Sequence, residues 1–142
     1  MYWYLEVFSR YADFSGRSRR KEYWMFILFN MLFLFGIFAI MTASLAIFGD
    51  SRIVTLLLGI VMIIYVLIVF IPSLAVTVRR LHDTGKSGCY ILLNLIPYVG
   101  ALIIFIFTVM DSEPGENKWG PNPKEDYLYD SEIDEIGMKD EY

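Results

Sequence analysis

Three long stretches of the chain are almost wholly apolar and carry no charged side chain. They run from 24 to 48, from 53 to 78 and from 89 to 110, and all 28 Lys, Arg, Asp and Glu residues lie outside them. An uncharged apolar run of about 18 or more residues is typical of a transmembrane helix. The pattern predicts an all-α polytopic membrane protein with three hydrophobic segments, and it excludes a soluble globular enzyme.

Shorter features join and bend these segments. Residues 1–14 alternate aromatic and polar side chains at helical spacing, which predicts an amphipathic helix lying in the membrane interface. The turn at 49–52 is so short that the first two spans must run antiparallel. Pro72 removes a backbone donor within the second span, so we expect a kink there and a carbonyl group that needs another partner.

The third hydrophobic segment has two interpretations. Its 22 residues suffice for one crossing of the bilayer, but Pro97 and Gly100 interrupt it near the middle. The sequence favours a single kinked crossing. The alternative is a re-entrant hairpin of two half-helices, which is tolerated only where protein or a cavity covers the irregular backbone.

Composition separates a membrane domain from a tail. Residues 1–124 hold eleven basic and eight acidic side chains, whereas residues 125–142 hold eight acidic side chains and one lysine. We therefore predict a positively charged membrane domain over 1–124 and a solvated, disordered acidic tail over 125–142. The net charge of −4 argues against a nucleic acid as a partner.

The basic residues also predict an orientation. Eight of the twelve precede the first span or lie in the loop after the second, and Lys and Arg concentrate on the cytoplasmic side of inner membranes. Three crossings would place eight basic residues inside and three outside, and a re-entrant third segment would place ten inside and one outside. Both arrangements predict a cytoplasmic N-terminus for a multi-pass protein.

Few residues suit catalysis or metal binding. Cys89 is the single cysteine and His82 the single histidine, so neither an intramolecular disulfide nor a multi-histidine metal site is expected. The spans contain no ionisable residue of the kind that marks a transport pathway. We predict no catalytic residue, no metal and no cofactor.

The charged residues at the span boundaries permit two interpretations. In the first, Glu22 and Asp83 form structural ion pairs with neighbouring arginines and lock the second loop to the segment before the first span. In the second, surplus arginines bind an anion or the headgroup of an anionic lipid. The candidate residues for that binding are Arg17, Arg19, Arg20, Arg79 and Arg80. The sequence favours ion pairs with a contribution from lipid over a dedicated ligand site.

Three motifs resemble those of a known family. Residues 14–24, residues 72–88 and residues 117–123 look like the opening, central and closing motifs of the bacterial domain-of-unknown-function 805 family. The resemblance covers about residues 1–124, and the chain departs from the family pattern at Cys89 and Asn122. It implies a small inner-membrane protein and supplies no established activity. The motif residues of unknown role are Gly16, Trp24, Pro72, His82, Gly85, Asn117, Trp119, Gly120 and Pro123.

These observations lead to one functional hypothesis and two alternatives. The hypothesis is a non-enzymatic, membrane-embedded binding or assembly module that contacts anionic lipid headgroups. A small transporter or channel subunit acting as an oligomer is the first alternative. A membrane enzyme acting at the headgroup level through His82 and Asp83 is the second. Membrane lipids are the expected partners, together with a second copy of the chain or another membrane protein.

Overall fold

The described part of the molecule is helical, as the sequence predicts. The computed structural model describes residues 2–49 and 51–124, and the prediction for the acidic tail lies outside these residues. Four α-helices follow one another as α1 (Tyr2–Ser9), α2 (Arg20–Phe48), α3 (Arg52–Asp83) and α4 (Val99–Val109), with a 3₁₀ helix at Gly88–Leu95 before α4. Within the described residues, the only β pairing is an isolated bridge between Asn117 and Gly120.

Two helices are long and apolar enough to cross a membrane. Helix α2 has 29 residues and α3 has 32, so at about 1.5 Å per residue each exceeds a hydrocarbon core of about 30 Å. Helix α2 begins four residues before the predicted span. Helix α3 continues five residues beyond its span and therefore carries the charged sequence that ends at Asp83.

The described chain divides into two compact units. The first comprises 1–13 and 24–75, and the second comprises 14–23 and the described residues from Val76 onward. In the first unit, Tyr4 of α1 lies 5.7 Å from Phe26 and 5.4 Å from Phe29 of α2, measured between ring centroids. Val7 is completely buried, so α1 packs through one face against the protein.

Helix α1 is shorter than the predicted helix over 1–14. It ends at Ser9, whose hydroxyl donates a hydrogen bond to the Glu6 carbonyl at 2.8 Å. Serine and threonine hydroxyls compete in this way with helical backbone bonding. Beyond it, Arg10 pairs with Asp13 at 2.7 Å, and Gly16 adopts a positive φ of 76°.

Polar side chains connect α2 to α3 within the first unit. The Tyr65 hydroxyl donates to the Asn30 side-chain oxygen at 2.6 Å, and the Asn30 amide donates to the Phe26 carbonyl at 2.7 Å. The Tyr65 ring also stacks on Phe33 at 4.6 Å. Hydrogen bonds of this kind join helices within a bilayer, where water is absent.

The backbone group that Pro72 leaves unpaired has a partner. Pro72 lies inside α3, where it deprives the Ile68 carbonyl, four residues earlier, of its helical donor. The Tyr11 hydroxyl donates to that carbonyl oxygen at 2.6 Å. The segment after α1 therefore satisfies the polar group that the proline exposes.

The third hydrophobic segment forms a hairpin. The single kinked crossing that the sequence favours is not the arrangement found. The segment divides into the 3₁₀ helix and α4, and the Tyr90 ring near its start lies 5.7 Å from the Phe107 ring near its end, measured between centroids. Tyr98 adopts a positive φ of 63° at the turn. A β-carbon on Gly100 would lie 1.7 Å from the Leu93 carbonyl oxygen, so only glycine permits this close approach.

Candidate functional site

Three arginines and two carboxylates form a buried cluster in the second unit. We call Arg17, Arg79, Arg80, Glu22 and Asp83 the arginine cluster. The side chains of Arg79, Arg80 and Asp83 are fully buried, and Arg17 is 6% exposed. The last turns of α3 supply Arg79, Arg80 and Asp83, and the segment entering α2 supplies the other two residues. A backbone hydrogen bond of 3.1 Å from Ser18 to the Arg79 carbonyl joins the two segments.

Asp83 is the centre of the cluster. Its two carboxylate oxygens accept hydrogen bonds from Arg17 Nε at 3.0 Å, from Arg80 and from Ser112 Oγ at 2.6 Å. Its backbone carbonyl accepts a further bond from the Glu113 amide at 2.8 Å. The carboxylate therefore joins three separate parts of the chain.

Helical spacing offers Asp83 two arginine partners on its own helix, Arg79 at four residues and Arg80 at three. The structure pairs Asp83 with Arg80, and Arg79 reaches Glu22 at 3.1 Å. Glu22 lies in the first turn of α2, where the helix dipole also favours a negative charge.

Arg17 connects the cluster to the closing motif. Its Nη1 donates to the Gly115 carbonyl at 2.7 Å and to the Gly120 carbonyl at 3.3 Å, and its Nη2 donates to the Glu113 carbonyl at 2.5 Å. A guanidinium group presents five donors in a planar fork. One side chain therefore holds both the Asp83 carboxylate and the backbone of 113–120.

Arg80 connects the cluster to the end of the hairpin. Its Nε donates to the Thr108 carbonyl at 3.0 Å, and its Nη2 donates to the Met110 carbonyl. Arg20 donates to the same Met110 carbonyl at 2.8 Å. The last carbonyls of a helix lack internal donors and form the negative end of its dipole, so these arginines cap α4.

The arginine cluster carries one more positive side chain than negative side chains. Three guanidinium groups face two carboxylates, and burying an ion without full compensation costs several kcal/mol. The carbonyl groups of α4 and of 113–120 supply the remaining acceptors. Folding of the hairpin and of the closing segment is therefore linked to the arginines that they surround.

His82 joins the opening motif to the closing motif. Its Nδ1 lies 3.2 Å from the Gly16 carbonyl, so this nitrogen carries the hydrogen and donates. The imidazole stacks on the Trp119 ring at 4.4 Å, and Asn117 donates to the His82 carbonyl at 3.1 Å. These contacts hold His82 between the opening and closing motifs, which gives it a structural role.

Two glycines of the motifs occupy positions that other residues would strain. Gly85 has a φ of +73°, and a β-carbon there would lie 2.7 Å from the Glu113 carboxylate. Gly120 has a φ of +125°, and its carbonyl oxygen accepts from Arg17. The left-handed region is readily available only to glycine, which explains these two motif positions.

The remaining predicted residues are distributed around the cluster or outside it. Arg19 donates to the Pro123 carbonyl. Arg20 is 37% exposed at its side chain and lies 3.3 Å from Asp111. Trp24 and Pro72 belong to the first unit.

Sequence reasoning missed Ser112 and Glu113. Their contacts to Asp83 span about 30 residues, and no local pattern marks them. Ser18 Oγ, two residues before α2 begins, is buried and has no hydrogen-bond partner among the described residues.

Asp83 and His82, the residues that a headgroup-level enzyme would use, are both held by contacts within the protein. The Asp83 carboxylate accepts from two arginines and a serine, and His82 lies between Gly16 and Trp119. Within residues 2–49 and 51–124, no three His, Cys, Asp or Glu side chains come together as metal ligands.

Comparisons with known proteins point to one family. A family model described as protein of unknown function (DUF805) matches residues 11–121. The inner membrane protein YhaH of Escherichia coli K12 is 47% identical over 126 residues, which cover 87% of this chain and 98% of the relative. The inner membrane protein YhaI of the same strain is 41% identical over 128 residues, which cover 87% and 97%. No solved structure matches the chain.

Proposed function

Since the chain belongs to the DUF805 family, whose matched relatives are inner-membrane proteins, we propose that it is a non-enzymatic, membrane-embedded binding or assembly module. In this proposal it is a multi-pass protein with a cytoplasmic N-terminus, and it contacts the headgroups of anionic lipids. The membrane location follows from the relatives and from the two long apolar helices. The lipid contact and the orientation are the proposed parts.

The distribution of exposed and buried cations supports the lipid contact and carries the proposal. Of the five arginines suited to anion binding, Arg17, Arg79 and Arg80 are buried and donate to protein acceptors. The side chain of Arg20 is 37% exposed, and the adjacent Lys21 is exposed. Arg19 is half-buried and donates to the Pro123 carbonyl, so the proposal assigns headgroup contact to Arg20 and Lys21.

The position of these cations suits a membrane surface. Arg20 and Lys21 are the first residues of α2, and only Glu22 and Tyr23 separate them from its uncharged stretch. Each Lys or Arg near an anionic leaflet contributes about 1 kcal/mol of attraction. The buried cluster has a supporting role, because it fixes the backbone that presents these two cations.

Native mass spectrometry of the protein purified with phosphatidylglycerol tests the lipid contact. The double variant Arg20→Gln/Lys21→Gln removes about 2 kcal/mol of attraction, so retention of this lipid should fall roughly 30-fold. Arg52→Gln is the control, because it removes an exposed cation at the first residue of α3, beyond the other end of α2, and should leave retention unchanged. Equal retention by a folded double variant and by the control would contradict the proposal.

A protein partner, either a second copy of the chain or another membrane protein, stays a prediction. Either would fit an assembly module, and the exposed apolar faces of α2 and α3 give such a partner room. The mass of the complex, measured in native nanodiscs, separates a monomer from a homo-oligomer. An added mass that differs from a multiple of 16.5 kDa would identify a different protein or bound lipid.

A further inference from the structure

The two ends of the third hydrophobic segment lie against the same part of α3. At the start, a β-carbon on Gly88 would lie 2.7 Å from Val78 Cγ1 and 3.3 Å from His82 Nε2. At the end, the Met110 carbonyl accepts a hydrogen bond from Arg80. Val78, Arg80 and His82 fall within five consecutive residues of one helix. The segment therefore leaves the last turns of α3 and returns to them.

The depth of the hairpin matches one leaflet. The 3₁₀ helix has eight residues and α4 has eleven, which at about 2.0 and 1.5 Å per residue gives each arm a length of about 16 Å. Half of a hydrocarbon core of about 30 Å is about 15 Å. Neither arm is long enough to cross the bilayer, and each is long enough to reach its middle.

Four internal hydrogen bonds satisfy much of the backbone at the turn, in the direction that hydrocarbon requires. The carbonyls of Leu93, Ile96, Pro97 and Tyr98 accept hydrogen bonds from the amides of Ile96, Gly100, Val99 and Leu102, at 2.7 to 3.2 Å. Each of these bonds pairs one backbone amide and one carbonyl that would otherwise have to leave water unpaired. An irregular turn with such bonding can enter lipid at low cost.

The side chains at the turn are exposed and mostly apolar, with the Tyr98 hydroxyl and the exposed Asn94 amide as the polar groups. Leu95 is 80% exposed, Ile96 and Val99 are about half exposed, and Tyr98 is 92% exposed. The whole segment from 89 to 110 is uncharged, whereas both of its ends adjoin the charged cluster. A charged base with a bare apolar tip is complementary to a lipid leaflet, where headgroups lie above hydrocarbon.

We infer that residues 88–110 form a re-entrant hairpin that occupies the hydrocarbon of the cytoplasmic leaflet and does not cross the bilayer. The closing motif at 117–123 then lies on the same side of the membrane as residues 14–23, and opposite the turn at 49–52. The inference takes from the proposed function only the orientation and the crossing of the membrane by α2 and α3. Headgroup binding has no part in it.

Thiol labelling determines the side of each segment. In a Cys89→Ser background, single cysteines replace the exposed residues Lys21, Arg52 and Glu116, and a membrane-impermeant maleimide is added to intact spheroplasts or to inverted vesicles. The hairpin predicts labelling of Arg52→Cys in spheroplasts and of Lys21→Cys and Glu116→Cys only in inverted vesicles. Lys118→Cys, also exposed, repeats the test if the Glu116 variant does not fold.

A spin label on Leu95→Cys measures the depth of the turn. The hairpin predicts strong collision broadening by oxygen and weak broadening by a water-soluble nickel chelate. Labelling of position 116 together with position 52 would overturn the hairpin, as would a turn accessible to the chelate. Positions 21 and 52 on one side would overturn the crossing of α2 and both proposals with it. Equal lipid retention by a folded Arg20→Gln/Lys21→Gln variant and its control would overturn the lipid contact alone.

Discussion

Replacing Asp83 by asparagine should destabilise the protein strongly, because two buried arginines share its carboxylate. Asp83 Oδ1 accepts from Arg17, and Oδ2 accepts from Arg80 and Ser112. An asparagine keeps one acceptor oxygen and turns the other into an NH₂ group, which must face a guanidinium donor in either rotamer. Removing one partner of a buried ion pair costs about 3–5 kcal/mol, because the remaining charge stays buried.

Equilibrium unfolding in mixed micelles of detergent and SDS measures this loss. Tryptophan fluorescence reports it, because Trp119 stacks on His82. Asp13→Asn is the matched control, since the same chemical change falls on an ion pair whose side chains are 32% and 35% exposed; such pairs contribute about 0–1 kcal/mol. A loss below about 1 kcal/mol for Asp83→Asn would refute the reasoning that Asp83 organises the cluster.

Three further substitutions test other contacts. Tyr11→Phe removes the donor to the carbonyl that Pro72 frees and should cost about 0.5–1.5 kcal/mol in the same unfolding assay; in a Pro72→Ala background, where the helix supplies its own donor, the cost should vanish. Gly100→Ala should lower the unfolding temperature, because its β-carbon has no room in the turn, and an unchanged temperature would contradict the hairpin. The hydrogen bond from Lys124 lowers the pKa of the Asp111 carboxyl below its ordinary value of 3.8. The ion pair therefore stabilises the fold above pH 3.8, and this stabilisation is lost as the pH falls through the lowered pKa of Asp111. Lys124→Gln should raise the pKa of Asp111, measured by NMR titration.

The long helices could be predicted from the sequence because their signal is local. The absence of charge over 24–48 and 53–78 identifies both spans without knowledge of any contact. The end of α1 could not be predicted in the same way, because the aromatic pattern continues to Phe14 whereas the helix ends at Ser9. Pro72 indicated that a carbonyl needs a donor, but its partner Tyr11 lies 57 residues from Ile68, beyond any local pattern.

The third segment and the cluster depend on contacts between distant residues. Pro97 and Gly100 are compatible with a kinked crossing or a hairpin, and contacts between distant residues distinguish the two: Tyr90 with Phe107, and Arg80 with the carbonyls of 108 and 110. Within the cluster, helical spacing allows either Arg79 or Arg80 as the partner of Asp83. Arg79 pairs instead with Glu22, which lies 57 residues away in the sequence. Asp83 pairs with Arg80 and Arg17.

The arginine cluster should gather the opening, central and closing motifs on one face of the membrane. Fusion of a reporter to the C-terminus in Escherichia coli tests this most directly, with green fluorescent protein reporting a cytoplasmic terminus and alkaline phosphatase a periplasmic one. A re-entrant hairpin predicts a fluorescent fusion with no phosphatase activity. An active phosphatase fusion without fluorescence would contradict it.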